Sequence, residues 1–468
     1  MNITILIFAL FLMVTFGAAI YGGTKSKSDH ALAEQKLTRW QIGLSAATTG
    51  NSGFVVTGAV GIGYSYGAHW LLLPLAWLLG DLLYWKIFPP RINALAAKSK
   101  ATTLSQLLTF DLHGTSAKCI NALVAFLVVF LLGIYVSAQW LAGRKFMSGA
   151  LSLSDEWALV LFAGTIVVYT AIGGFRGSVY ADVVQAVIRL AGTFIALVAV
   201  VYVAYQNPAA FNGNIQAAGT DFLSFFPDAT LIPSVGFVAG WAAAAIGFGL
   251  GQPQVVSRYM AGASPVETRA AWWIYIGFLQ ITWIAMTGFG MLLRGVMPNI
   301  PDPEAGLSVF MAANFGPILT GIILADVYAT IASTANGILV AITQVIQHDV
   351  VEYNSPMHLG KRSRQMLTIG LGLVTIILSF SLPGNVFTVV VGAASMLGAS
   401  VGGAALIKVL GLRHSARSLL ITIVVGLVSA YLWKTSPYGG LVNEAGIGIS
   451  AGILANMVFA LKEKQYSL

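Results

Sequence analysis

The sequence predicts an all-α polytopic membrane protein, and three observations support this prediction. Hydrophobic residues make up 57% of the 468-residue chain and charged residues only 9%, a composition outside the range of soluble globular domains. Apolar runs of about 20 residues, the length needed to cross a bilayer, recur from one end of the chain to the other. These runs are rich in glycine and do not alternate between polar and apolar residues, so they are typical of helices rather than barrel strands.

The apolar runs predict about 13 membrane spans, which together use nearly the whole chain. The first seven are expected at about 3–22, 42–64, 68–90, 118–143, 157–174, 180–205 and 233–256. The other six are expected at about 270–293, 308–346, 366–382, 385–409, 418–434 and 446–461. The loops between them are too short for a nucleotide-binding or receptor domain, so residues 1–468 are predicted to form a single membrane domain.

The charges around the first span predict the orientation of the chain. No Lys or Arg precedes this span and no cleavage site follows it, so it is expected to be retained rather than removed as a signal peptide. Lys25, Lys36 and Arg39 follow it, and basic loops favour the cytoplasmic side, which places the N-terminus outside and the C-terminus in the cytoplasm. Basic cytoplasmic loops also account for the net charge of +8, so no nucleic-acid partner is expected.

The polar residues exclude several other kinds of chemistry. The single cysteine, Cys119, cannot form an internal disulfide or a cysteine-based metal cluster. No combination of nucleophile, base and acid stands out, so the chain is not expected to be an enzyme.

Two spans carry interruptions that a simple membrane anchor does not need. The second span contains TTGNSG at 48–53, and the seventh contains GFGLGQPQ at 247–254, where proline removes a backbone donor and glycines loosen the helix. These spans are the first members of two successive groups of five. Interrupted helices at corresponding positions of two halves indicate the binding site of an inverted-repeat transporter.

The ninth span adds a polar stripe to these interruptions. Asp326, Thr330, Ser333, Thr334 and Gly337 are spaced so that they share one face of a helix. Sodium is a hard cation that binds several oxygen atoms. Backbone carbonyls freed between Thr48 and Asn51, together with the hydroxyls of Ser333 and Thr334, would provide such a set.

Three acidic residues fall inside or at the edge of predicted spans, where a carboxylate is costly and usually functional. Asp182 follows a short cytoplasmic turn, where it also suits the first turn of a helix. Asp326 could bind a cationic group of a substrate or take up a proton. Asp81 is expected to have a structural partner, and Arg189 is the candidate.

At these positions the sequence resembles the sodium:solute symporter family. The resemblance covers essentially the whole chain and is strongest at 169–185 (YTAIGGFRGSVYADVVQ), at 251–260 (GQPQVVSRYM), and at Ser333 and Thr334 followed by Asp349. It implies the LeuT-type fold of two inverted five-helix repeats. The implied segments are an extra helix and loop at 1–40, a first repeat at 41–205, a second repeat at 206–410 and two further helices at 411–468.

The resemblance also implies particular binding residues. The common sodium site of the family would use the backbone carbonyls of Thr48 and Asn51, with Thr330, Ser333 and Thr334 from the ninth span. Thr330 stands where the family usually has alanine, which is compatible with a role for its backbone carbonyl. A second sodium or a coupling role would involve Asp182, Asn336 and Asp326, although serines expected in that second site are replaced by Asn336 and Gly337. The residues implied for substrate binding are Thr49, Ser52, Gln139, Trp241, Phe248, Gly251, Gln252 and Pro253.

These observations predict a sodium-coupled symporter of a bacterial inner membrane that imports a small polar solute by alternating access. The preferred solute is an amino acid or a related zwitterion or carboxylate. The family resemblance implies aromatic residues in a proline pocket at two positions that are Ala245 and Gly249 here, so a solute bulkier than proline is expected. The functional unit is expected to be a monomer. Two alternatives remain open at this point: a solute sensor with the same fold, and a proton-coupled transporter that uses Asp326.

Overall fold

The computed structural model describes residues 3–25, 32–151, 153–226, 231–355, 358–382 and 385–466, and these residues are almost entirely helical. The helices of the first half are α1 (Ile3–Thr24), α2 (Arg39–Val56), α3 (Gly58–Tyr66), α4 (Leu72–Ser99), α5 (Leu104–Thr109), α6 (Gly114–Leu151), α7 (Asp155–Gln206) and α8 (Pro208–Ala217).

The second half begins at the second interrupted span. Its helices are α9 (Leu231–Gly251), α10 (Pro253–Met260), α11 (Pro265–Ala270), α12 (Trp272–Val296), α13 (Gly306–Asn314), α14 (Pro317–Val345), α15 (Glu352–Asn354), α16 (Lys361–Ser379), α17 (Val386–Leu397), α18 (Gly403–Val409), α19 (Ala416–Thr435) and α20 (Glu444–Tyr466). Two π-helical segments, Ile346–Val351 and Gly398–Gly402, continue α14 and join α17 to α18.

Each predicted span coincides with one of these helices or with a broken pair of them. Among the described residues, nine helices are long and apolar enough to cross a membrane. Helix α7 is one of these nine although it contains two predicted spans, which meet at Gly174 (φ 57°, ψ −157°). Only glycine adopts that backbone conformation without strain, so the turn between the two spans is a single residue.

Helix α14 forms the centre of the molecule. It packs against α2, α6 and both arms of α7, and almost every residue from Gly321 to Val345 is buried. The broken pair α2–α3 therefore lies between α14 and α12, while the broken pair α9–α10 packs against α4 and the π-segment Gly398–Gly402. Both interruptions are thus inside the protein and not at its surface.

The contact between α9 and this π-segment is made by backbone. A Cβ atom at Gly247 would lie 3.3 Å from the Cα of Gly398, and one at Gly402 would lie 2.8 Å from the carbonyl oxygen of Gly247. Glycine at these positions lets the two helices touch without side chains between them.

Candidate ion and solute site

The first interruption opens at Ser52, inside the span formed by α2 and α3. Ser52 has a positive φ (φ 49°, ψ 173°), which breaks the helical hydrogen bonding around it. The freed N–H of Gly53 donates to Oε1 of Gln139 on α6 at 2.7 Å, and the N–H of Phe54 donates to the Ser52 hydroxyl at 3.1 Å. The break is therefore held by side chains rather than left unpaired.

Oxygen atoms from the first span and from α14 converge beside this break. The Ser333 hydroxyl lies 3.0 Å from the carbonyl oxygen of Thr48 and 3.1 Å from that of Thr330. The Thr334 hydroxyl lies 2.8 Å from the carbonyl oxygen of Thr49 and 3.4 Å from that of Thr48. Three carbonyls and two hydroxyls thus form a buried cluster, which is the kind of ligand set that a hard monovalent cation prefers.

The Thr330 side chain is directed away from this oxygen cluster. Its hydroxyl donates to the Asp326 carbonyl at 2.8 Å and accepts a hydrogen bond from Arg189 on α7. Arg189 also pairs with the Asp326 carboxylate at 3.3 Å, and both side chains are buried. The expected partnership of Asp81 with Arg189 is therefore wrong: Arg189 faces α14, and the pair it forms is with Asp326.

A second buried ion pair borders the cluster on the side of Thr49. The Asp182 carboxylate accepts hydrogen bonds from Ser45 at 2.6 Å and Thr49 at 3.3 Å, and it pairs with Arg258 at 3.2 Å. A Cβ atom at Gly337 would lie 3.2 Å from the Arg258 guanidinium, so the absence of a side chain there leaves space for that cation. Asp182 therefore has a permanent positive partner.

A cavity lies on the other side of the first break, between α2–α3, α4, α9 and α12. It is lined by Gly50, Ser52, Phe54, Leu73, Trp77, Tyr135, Trp241, Ala244, Phe248, Leu279, Trp283, Val390, Val391, Ala394 and Ser395. Six of these side chains are aromatic and none is charged. Such a lining suits a small solute with an apolar body whose polar groups bind to the broken backbone.

Comparison with known proteins agrees with this geometry. The sequence model of the sodium:solute symporter family matches residues 30–427. The chain belongs to the sodium:solute symporter family.

Relatives across bacteria match most of this symporter. It is 24% identical over 476 residues to the osmoregulated proline transporter OpuE of Bacillus subtilis, covering 95% of this chain and 92% of the relative. It is 25% identical over 391 residues to the sodium/pantothenate symporter of Haemophilus influenzae, covering 81% of this chain and 78% of the relative.

Solved structures show that the symporter has the expected LeuT-type fold. A substrate-bound, outward-open Na⁺-coupled sialic acid symporter superposes with a TM-score of 0.79 at 18% identity, covering 98% of this chain and 97% of that one. The transporter MhsT in complex with L-phenylalanine superposes with a TM-score of 0.54 at 16% identity, covering 90% and 99%.

Family membership establishes the general activity. The protein is a multi-pass membrane symporter that couples solute import to sodium, and it is not an enzyme. Sodium is its coupling ion.

The predicted binding residues divide into three groups in the symporter. Thr48, Ser333 and Thr334 meet in the oxygen cluster, to which Thr330 contributes its carbonyl. Asn51 was predicted to contribute its backbone carbonyl, and its side chain donates to the Thr282 hydroxyl at 2.7 Å. Ser52, Trp241 and Phe248 line the cavity.

The remaining predicted residues lie near the site without lining the cavity. Gln139 holds the first break through Gly53, and Thr49 faces Asp182. The Gln252 amide donates to the Ala394 carbonyl at 3.1 Å, which ties the second break to α17. Gly251 approaches the Leu397 carbonyl, Pro253 begins α10, and both polar atoms of the buried Asn336 side chain lack a hydrogen-bond partner among the described residues.

Several cavity residues were not among those predicted, and the most informative are Trp77, Tyr135 and Trp283. Tryptophans in membrane spans are usually read as interface anchors, which hides their role here. Trp77 was detectable nonetheless, because it falls in the middle of its predicted span and not near an end.

Proposed function

We propose that the symporter imports an amino acid or a related zwitterion or carboxylate with a substantial apolar body, using one sodium ion per cycle. The aromatic, uncharged cavity beside the broken first span carries the solute part of this proposal. The names of the relatives support the same class, since proline is an amino acid and pantothenate is a carboxylate.

The oxygen cluster is the proposed sodium site. Sodium would bind between the carbonyls of Thr48 and Thr330 and the hydroxyls of Ser333 and Thr334, and it would draw α2 toward α14. Solute in the adjacent cavity would benefit from the same closure, since the broken first span borders the oxygen cluster through Thr48 and the cavity through Ser52. A ligand shifts the alternating-access equilibrium only through unequal affinity for its two states, so this shared break provides the coupling.

A second sodium is not part of the proposal, because Arg258 already neutralises Asp182. One sodium moving through a potential of about 100 mV and a tenfold gradient releases roughly 2.3 plus 1.4 kcal/mol. That energy supports a ratio of inside to outside concentration of roughly several hundred for a neutral solute.

The proposal includes an orientation and an architecture. The N-terminus would lie outside and the C-terminus in the cytoplasm of a bacterial cell, with 41–205 and 206–410 as the two repeats and a monomer as the functional unit. The group formed by the broken spans and their neighbours α4 and α12 would rock against the helices around α14.

Uptake into proteoliposomes tests the function. Labelled L-proline, pantothenate and a panel of larger amino acids would be offered with and without an inward sodium gradient, to wild type and to Ser333→Ala/Thr334→Ala. We expect sodium-dependent accumulation in wild type and its loss in the double variant. Thr435→Ala/Ser436→Ala, an adjacent hydroxyl pair remote from the site at the end of α19, is the matched control and should transport normally. Binding without flux under any ion gradient would instead identify a sensor.

A further inference from the structure

Asp81 is a buried carboxyl group that the proposed transport site does not use. It lies in the middle of α4 with 2% of its surface exposed. Among the described residues it forms no ion pair and its Oδ2 atom accepts no hydrogen bond. The indole N–H of Trp77, one turn earlier, interacts with the carboxyl group without completing a hydrogen bond.

The basic groups on the helices around α4 either contact other residues or are exposed at the surface. Arg258 on α10 pairs with Asp182, and Lys408 on α18 pairs with Asp111. His69, just before α4, contacts the Phe225 carbonyl, and Arg294 on α12 donates to the Pro298 carbonyl. On the other charged helix, α11, the acid Glu267 pairs with Arg39 and Arg269 is exposed at the surface. Asp81 therefore differs from Asp182 and Asp326, each of which has an arginine partner.

The surroundings of Asp81 are aromatic. Trp77 and Trp85 flank it by one helical turn on each side, and Tyr259 of α10 and Tyr275 of α12 pack against Trp85. The indole N–H groups of both tryptophans and the Tyr259 hydroxyl have no hydrogen-bond partner among the described residues. A carboxylate without a cation is strongly disfavoured in such a place, whereas a protonated carboxyl group is not.

The close packing of these rings favours a proton over a larger cation. The ring of Trp85 lies 5.0 Å from that of Tyr259 and 4.9 Å from that of Tyr275, centroid to centroid. These are distances of direct contact, so a hydrated metal ion or an organic ammonium group would have to separate the rings. A proton needs no such space.

Asp81 is also connected to both halves of the transport site. Trp77 lines the solute cavity, and the centroid of its ring lies 5.5 Å from that of Phe248 and 5.1 Å from that of Trp283. Tyr84, one turn after Asp81, donates through its hydroxyl to the Gly249 carbonyl at 2.7 Å, just before the second break. A change in the charge of Asp81 would therefore reach the cavity wall and the broken helix together.

We propose that Asp81 is a proton-binding site in the wall of the solute cavity, occupied in the packed arrangement seen here, so that loss of its proton weakens solute binding. This inference rests on the proposed solute site and adds to it a proton that sodium symport alone does not require. Linkage is reciprocal, so solute that binds this arrangement favours retention of the proton.

The protonation state is tested directly by infrared spectroscopy of the full chain in liposomes near neutral pH. A protonated carboxyl group has a C=O stretching band that a carboxylate lacks. We expect a band in wild type that is missing in Asp81→Asn and still present in Asp155→Asn, whose carboxyl group is on the surface. No difference between wild type and Asp81→Asn would overturn the proposal.

The link to the solute is tested by the pH dependence of sodium-driven uptake, using the solute that the uptake panel identifies. Once Asp81 ionises, the apparent solute affinity of wild type should fall as pH rises, by up to about tenfold per pH unit for a single linked proton. Asp81→Asn, which is permanently neutral, should keep the high affinity at alkaline pH. Asp81→Ser provides a second non-titrating variant if the asparagine variant does not fold.

The outcomes separate this inference from the proposed function. Identical pH profiles in wild type and the non-titrating variants would refute the link while leaving sodium symport intact. Absence of sodium-driven uptake in wild type would refute the proposed function, and the infrared band would still decide whether Asp81 holds a proton.

Discussion

Thr330, Ser333 and Thr334 lie on one face of α14, but their hydroxyl groups point to different partners. Ser333 and Thr334 face the carbonyls of Thr48 and Thr49, while Thr330 faces Arg189 and Asp326. Thr330 can therefore serve the proposed sodium site only through its carbonyl. The Arg189 and Asp326 pair would act on the ion indirectly, by fixing this turn of the helix.

Replacing Thr330 with valine separates these two roles. Thr330→Val keeps the carbonyl and the shape but removes one of the two acceptors of the buried Arg189 guanidinium, leaving only the Asp326 carboxylate, which should lower the free energy of unfolding by about 1–3 kcal/mol. The sodium concentration for half-maximal uptake should change less than in Ser333→Ala. Thermal unfolding and uptake titrations measure the two effects, and the reverse order would make the hydroxyl an ion ligand.

The ion pair between Asp182 and Arg258 leads us to expect one sodium ion per solute molecule. Because Arg258 occupies the position where a second cation would neutralise Asp182, uptake should depend on sodium concentration with a Hill coefficient near 1. Charge movement measured together with labelled solute provides an independent value. A coefficient approaching 2 would show that a second sodium binds despite the arginine.

The residues themselves explain how much of the site could be predicted. Ser333 and Thr334 are identifiable because their spacing and their family motif coincide. The partner of Arg189 is not, because Asp81 and Asp326 are both acidic residues inside spans and only the arrangement of helices decides between them. Gly337 is similar: its sequence position gives no sign that it makes room for the Arg258 guanidinium.

At the scale of helices, both interruptions were predictable because each has a local chemical cause. The run at 48–53 is polar and glycine-rich, and the seventh span has proline at 253. What holds the first break open could not be predicted, since Gln139 comes from a helix distant in sequence. Gln139 was expected to contact the solute, whereas its position favours a role in holding the backbone.

Replacing Gln139 tests that role. Methionine has a shape similar to that of glutamine but no acceptor for the Gly53 N–H, so Gln139→Met should lower the free energy of unfolding by about 1–3 kcal/mol. It should also weaken the binding of both sodium and solute. Gln139→Glu retains an acceptor and should recover part of both. A loss of solute affinity alone, with sodium affinity unchanged in Gln139→Met, would indicate direct contact with the solute instead.

At the scale of the whole molecule, the positions and order of the apolar spans were predictable because hydropathy is a local property, and helices occupy those positions in that order among the described residues. Which helices surround α14 was not readable from hydropathy and came only through the family resemblance. The tight turn at Gly174 could not be predicted in this way, because hydropathy places the two spans but not the single residue that joins them.

The proposed orientation can be tested with the native cysteine. Cys119 is exposed near the start of α6, which the proposed topology places on the cytoplasmic side. A membrane-impermeant maleimide should label it in inside-out vesicles and not in right-side-out vesicles. Cys119→Ser/Ser436→Cys moves the thiol to the opposite side and should reverse the pattern, while Cys119→Ser alone should remain unlabelled. The opposite result would invert the topology.

The glycine contact between α9 and the π-segment has a consequence for how these two helices could move during transport. Where Gly247 meets Gly398 and Gly402, no side chains interlock, so one helix can slide past the other without rotamers having to change. Interdigitated surfaces move between discrete packed positions, whereas two smooth backbones offer a nearly continuous path. We therefore expect this contact to offer little resistance to movement of α9, and alanine at any of its three glycines to slow solute uptake, measured as the initial rate in proteoliposomes.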